Sequence, residues 1–374
     1  MQRVHYGTRC ERKETDMKRI GFLTSGGDCQ GLNPAMRGVT ETICTALGDK
    51  EVEFYGFEDG YKGLIYGKYR KMTRDDFAGI QNMGGTILGT SREPFKLIQI
   101  VDPETGLDKV KEMKKTYARL KLDCLVVLGG NGSTKTANLL SQQGLNVVSL
   151  PKTIDNDIWG TDMTFGCHTA VEIATEAIDR TRTTAASHSR TFLVEIMGHK
   201  VGWLALEAGI AGGADAILLP EIPYSVKKVA ALIKKNTRAG KKYSIICVAE
   251  GAMTKEEAKM PKKERAAFYA STGTASDRLA TALAELVPNE IRCVNPGHTQ
   301  RGGNPCAYDR RFATELGAAA GQLILEEKYG NMVALRDNEL VPVPLSEVAG
   351  KLKYVPVDGE EVKYARALGI SFAD

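Results

Sequence analysis

The chain has 374 residues, of which 43% are hydrophobic and 26% charged, with a formal net charge of +4. This is the make-up of a water-soluble globular protein long enough for two cores, and the small net charge makes no general case for nucleic acid. No apolar run approaches the length of a membrane span, so neither a nucleic-acid nor a membrane partner is expected.

Residues 1–17 are polar, lack the apolar centre of a signal peptide and are expected to form a flexible leader. Eight cysteines are scattered without a CxxC pair, several within apolar runs. They predict reduced structural thiols, a cytoplasmic location and no zinc site. The first predicted strand, 19–24, runs into Ser25-Gly26-Gly27-Asp28 and a helix from about Asn33 to Leu47. Strand, glycine turn and helix N-terminus together present backbone N–H groups to a phosphate. For one Gly-Gly pair, a tight connection without a ligand is the simpler reading. A second glycine turn, 84–92, ends in Arg92 and adds another element suited to phosphate.

The strand predicted at 125–128 feeds Gly129-Gly130-Asn131-Gly132-Ser133 and a helix through Leu140. Glycines let the backbone approach an anion closely, and the helix dipole favours it. The run is no P-loop, because Gly-Lys-Ser/Thr is missing. Nor is it the dinucleotide fingerprint, whose third glycine would fall at Lys135.

The next strand, 147–150, ends at Pro151-Lys152-Thr153-Ile154-Asp155-Asn156-Asp157. Open α/β sheets place ligands at the carboxyl ends of their strands. Two carboxylates two residues apart, preceded by a hydroxyl and an ammonium, suit a site that holds a metal-bound phosphate and accepts a proton from an attacking hydroxyl. The same residue types make ordinary turns, so this stretch alone leaves both readings open.

A helix follows from about Gly166 to Ala186, then Ser187-His188-Ser189-Arg190. Strands are predicted at 192–196, leading into Met197-Gly198-His199-Lys200, at 216–219, at 244–248 before Glu250, and at 292–294. Helix-period sequence separates them, for example at 226–237 and 277–286, which predicts a mostly parallel sheet with helices on both faces. The Lys- and Glu-rich run 253–264 reads as an exposed insertion. Pro296-Gly297-His298-Thr299-Gln300-Arg301-Gly302-Gly303 opens a helix reaching about Glu327. A single histidine is more often structural, but His298 with Arg301 in a glycine-flanked turn suits a sugar phosphate.

The motifs at 25–28, 130–133, 153–157, 197–198 and 297–303, in this order, together resemble the 6-phosphofructokinase family over roughly residues 18–330. The resemblance implies an α/β fold: two similar Rossmann-like three-layer α/β/α domains with mostly parallel sheets and the active site in the cleft between them. Residues 18–165 with about 300–350 would form the phosphoryl-donor domain, and 166–299 with about 351–374 the sugar-phosphate domain.

It further implies roles for single residues. Gly26, Gly27, Arg92, Gly130, Asn131, Gly132, Ser133 and Lys152 would line the phosphoryl-donor site. Asp155 would be the general base for the C1 hydroxyl of fructose 6-phosphate, and Thr153 would hold the substrate or the transferring phosphoryl. Magnesium is the implied cofactor, with Asn131 and Asp157 as ligands, and ATP the co-substrate. Met197, Gly198, His199, Glu250, Arg292, His298 and Arg301 would bind the sugar and its phosphate. Arg190 would reach that phosphate from a neighbouring subunit, so self-association is expected.

Three positions depart from the family pattern. Asn131 stands where Asp is usual, keeping an oxygen but losing a charge. His199 stands where bacterial ATP enzymes have Arg, and Lys152 resembles the lysine of diphosphate-using members. Those members typically carry Asp where this chain has Gly132, and its absence leaves room for the α-phosphate of ATP. ATP is therefore the expected donor, with a diphosphate-dependent phosphotransferase as the alternative. An NAD kinase would account for 129–133 but not for 153–157 or 298–303, and a non-catalytic sugar-phosphate sensor would not need Asp155. Arg37 and Arg182 match part of the bacterial effector site, yet Glu41 replaces one of its arginines, so weak or absent effector control is expected.

Overall fold

The computed structural model describes residues 17–374, so all but one residue of the expected leader lies outside the described residues. The strands are β1 (Lys18–Ser25), β2 (Val52–Phe57), β3 (Tyr69–Met72), β4 (Cys124–Gly129), β5 (Val147–Pro151), β6 (Thr191–Ile196), β7 (Ala216–Leu218), β8 (Ser244–Ala249), β9 (Ile291–Val294), β10 (Asn331–Arg336) and β11 (Glu339–Pro344). They form a seven-stranded sheet in the order β11-β10-β5-β4-β1-β2-β3 and a four-stranded sheet in the order β7-β8-β6-β9. The second sheet is parallel throughout; in the first, only the edge strands β3 and β11 run antiparallel to their neighbours.

Strands β4 and β6 are buried along their whole length, because helices cover both faces of each sheet. Continuous apolar runs rather than alternation follow from that double cover. The Leu32–Leu47 helix packs on the Ala307–Leu325 helix at backbone contact. A Cβ on Gly38 would stand 2.3 Å from the carbonyl oxygen of Thr314, and one on Gly317 2.1 Å from that of Ala35.

The chain returns to both sheets near its end. β10 pairs with β5, Leu352 bridges Ile158, and Ser371 bridges Ala216 at the edge of β7. The β10–β11 hairpin was not predicted, although its turn residues Asp337 and Asn338 both take the left-handed conformation that two-residue hairpins require. The polar run 253–264 is largely exposed, with one buried residue, Glu257. Thr254 and Glu257 form a capping box at the Lys255–Lys259 helix, and buried Glu257 pairs with Arg278 at 3.1 Å. No helix among the described residues is long and apolar enough to cross a membrane.

Candidate active site

Register brings the glycine turns together. Ser25 lies opposite Gly129, and Gly129 opposite Pro151, so the connections 26–28, 130–133 and 152–157 leave one sheet edge side by side. The 84–92 loop is laced onto the first of them: the Gly26 N–H donates to the Ser91 carbonyl at 3.0 Å, and the Thr90 hydroxyl donates to the Gly26 carbonyl at 2.7 Å. Arg92 therefore stands beside Gly26, exposed and without a hydrogen bond or ion pair among the described residues. The Lys152 ammonium donates to the Gly27 carbonyl, and burial pulls its pKa below the usual lysine value.

The Asn131–Gln142 helix starts at Gly130 with no side-chain cap and no acid in its first turn. Its first N–H groups are left for an anion, and the dipole adds to their effect. Ser133 is buried at that end. A Cβ on Gly132 would have no atom within 4 Å.

The 152–157 stretch is fixed from several sides. The Asp155 N–H donates to the Thr153 hydroxyl at 3.1 Å, and the Thr164 hydroxyl donates to the Thr153 carbonyl at 2.8 Å. Asn156 sits in the left-handed region at φ 52°. Its side-chain oxygen accepts from the Thr164 N–H at 3.2 Å and from the Lys353 ammonium at 2.8 Å. Burial, with the Asp155 carboxylate adding to it, pushes the Asp157 carboxyl up to about 6. Asp155 itself keeps a buried Oδ1 with no hydrogen-bond partner among the described residues.

The second sheet supplies the facing loops. Ile196 lies opposite Ala249, so the 197–199 turn and Glu250 emerge together. Glu250 Oε1 accepts from the Gly198 N–H at 3.2 Å and from the His199 N–H, and the Met197 N–H donates to Gln300 Oε1 at 3.3 Å. His298 is exposed on the Gly297–Arg301 turn of 3-10 helix. That turn is joined to the donor side: Arg301 Nη1 donates to the Asp28 carbonyl at 3.0 Å, and Gln30 Nε2 to the Gly302 carbonyl at 2.6 Å.

A family model described as Phosphofructokinase matches residues 19–324. The chain belongs to the phosphofructokinase family. A protein of Spirochaeta thermophila named ATP-dependent 6-phosphofructokinase is 51% identical over 366 residues, covering 97% of this chain and 99% of its own. One of the same name from Propionibacterium freudenreichii is 45% identical over 95% of this chain and 99% of its own length. The crystal structure of Pichia pastoris phosphofructokinase in the T-state matches with a TM-score of 0.77 at 30% identity, over 96% of this chain and 37% of that longer one.

Within this phosphofructokinase, two expected sugar-phosphate residues stand apart from the loops just described. Arg190 precedes β6, and Arg292 pairs in register with Phe192 near its start. Met197 follows the other end of that six-residue strand, about 20 Å away at about 3.3 Å per residue. Both arginines are instead held by Glu290, the Arg190 contact being 2.5 Å. At the expected effector positions, Arg74 pairs with Glu41 at 2.5 Å and Arg182 donates to the Gly213 carbonyl at 2.9 Å.

The sequence reading missed the residues that hold the site in shape. Asp309, fully buried, caps the Cys167–His188 helix by accepting from the Gly166 and Thr169 N–H groups at 2.9 and 2.7 Å. Lys351 accepts from the Asn131 amide, and Lys353 and Gln30 secure neighbouring turns. Only proximity in space reveals these partners.

Proposed function

We propose that the chain transfers the γ-phosphoryl group of ATP to the C1 hydroxyl of fructose 6-phosphate, giving fructose 1,6-bisphosphate and ADP. The observation that carries this reading is the unpartnered buried Oδ1 of Asp155, set among three anion-suited turns. A carboxylate oxygen with an open valence in such a place is suited to accept a hydroxyl proton. Backbone N–H groups at 130–133, Arg92 and Lys152 would stabilise the negative charge spread over the transferring phosphoryl oxygens. Thr153 would hold the transferring group near Asp155.

Magnesium is the proposed cofactor. Among the described residues no three His, Cys, Asp or Glu side chains gather into a metal cage. Magnesium in kinase sites needs only one or two carboxylates beside the substrate phosphates, so Asp157 and the amide oxygen of Asn131 fit as its protein ligands. When bound, the ion would offset phosphate charge.

Gly26, Gly27, Gly130, Gly132 and Ser133 would cradle the donor, with the open space over Gly132 favouring ATP over diphosphate. Met197, Gly198, His199, Glu250, His298 and Arg301 would bind the sugar phosphate. Arg190 and Arg292, sharing Glu290, would serve a neighbouring subunit's site as a pair, which requires self-association. The donor domain would comprise 18–165 with about 300–350, the sugar domain 166–299 with about 351–374, and the protein would work in the cytoplasm. A coupled assay with fructose 6-phosphate, magnesium and either ATP or diphosphate tests the reading. Turnover with ATP is expected; turnover with diphosphate alone would overturn the donor assignment, and none with either would overturn the function.

A further inference from the structure

The segment 351–353 touches three parts of the site region at once. The Lys351 carbonyl accepts from the Asn131 amide at the donor turn. Leu352 bridges Ile158, immediately after the catalytic stretch. The Lys353 N–H donates to the Asp157 carbonyl at 2.9 Å, and its carbonyl accepts from Trp203 Nε1 at 2.9 Å, on the helix that follows the 197–199 turn. The Lys353 ammonium then donates to Asn156 Oδ1 at 2.8 Å, the Thr161 carbonyl at 3.0 Å and the Asp162 carbonyl at 2.7 Å. All three N–H donors of an ammonium are thereby used.

We infer that Lys353 is a positioning residue for phosphoryl transfer, its ammonium holding the left-handed Asn156 turn and, through it, the carboxylates of Asp155 and Asp157. The inference rests on the proposed kinase reading. Asn156 sits in the left-handed region, and its side-chain oxygen is held from outside the turn by the Lys353 ammonium at 2.8 Å and by the Thr164 N–H at 3.2 Å. Burying an ammonium is costly: desolvation lowers the Lys353 pKa to about 8 despite Asp162, Glu207 and Asp157 nearby. An apolar side chain of similar length would fill the space beside the Trp203 ring, 5.4 Å from the ammonium, without that cost. The three donated bonds are what only lysine supplies there. They end on the residue between the two carboxylates and on the loop that follows, rather than on the carboxylates themselves.

The test compares wild type with Lys353→Met in the coupled assay with fructose 6-phosphate, ATP and magnesium, activity being referred to folded protein by circular dichroism. Misplacing reacting groups by about 1 Å costs on the order of 10²-fold in rate. A kcat lower by about that factor, with the KM for fructose 6-phosphate nearly unchanged, is expected. A kcat equal to wild type, or a loss expressed wholly in KM, would overturn the inference. Should Lys353→Met not fold, Asn156→Gly accepts the left-handed turn and removes the side chain that the Lys353 ammonium and the Thr164 N–H hold together. It is expected to lose kcat in the same way, and a wild-type kcat would overturn the inference. Where both variants fold, Lys353→Met should cost little more in the Asn156→Gly background; full additivity would also count against it. Inactive wild type would instead overturn the proposed function.

Discussion

The side-chain amide of Asn131 donates a hydrogen bond to the main-chain carbonyl of Lys351, across 220 residues of sequence. An aspartate at this position has no proton to donate at neutral pH and would set two acceptor oxygens against each other. The asparagine that departs from the family pattern is thus matched by a local partner. Asn131→Asp is expected to lower stability by about 1 kcal/mol and to reduce kcat/KM for ATP, even though it restores the usual residue. A melting curve and an ATP titration check this; a more stable and more active variant would refute it.

Asp155→Asn should cut kcat by about 10²–10⁴-fold, the usual worth of a general base. The KM for fructose 6-phosphate should stay close to wild type, because the amide is nearly isosteric and the lost interaction belongs to the transition state. Steady-state kinetics decide the matter. Full activity would move the base assignment to Asp157.

Gly132→Asp places a carboxylate where the fold leaves open space, so the melting temperature should hold. The same carboxylate would crowd and repel the α-phosphate of ATP. A fall of at least about tenfold in kcat/KM for ATP is expected, the equivalent of about 1.4 kcal/mol. Unchanged ATP kinetics would show that this space is not used by the donor.

Burial holds the Glu207 carboxyl up at about 7, opposed by Lys353 and reinforced by Glu361. With the folded pKa above the unfolded 4.5, the native chain holds the extra proton, and this contribution is complete below about 4.5 and lost as pH rises through about 7. Glu207→Gln stays neutral at every pH. It should match wild type near the acid end and exceed it by about 3 kcal/mol near pH 8, as read by denaturant titration at both pH values. A constant difference across that range would rule the mechanism out.

The phosphate turns were legible because their chemistry is local: strand, glycines and helix start lie within ten residues or so of one another at 25–33 and 129–133. The paired carboxylates at 155 and 157 were legible for the same reason. Lys353 was not, because its partner Asn156 lies 197 residues away. Gln30 was not either, since it acts on Gly302 from 272 residues away. Arg292 carried a role in sequence that its strand register does not give it within one chain, for β9 sets it beside Phe192. Composition predicts the exposure of most of 253–264 but not its one buried carboxylate, Glu257, which pairs with Arg278.

The order in which the two sheets are completed has a consequence for synthesis. The second sheet lies, in sequence, inside the first: β5 ends before β6 begins, and β10 and β11 arrive only after β9. The edge of β7, in turn, receives Ser371 from the far end. A ribosome feeding out this chain exposes unfinished edges on both sheets until the closing segments emerge, and unpaired edges invite association with other chains. A chain stopped between β9 and β10 would hold all four strands of the second sheet with the edge of β7 uncovered, and only five of the seven strands of the first.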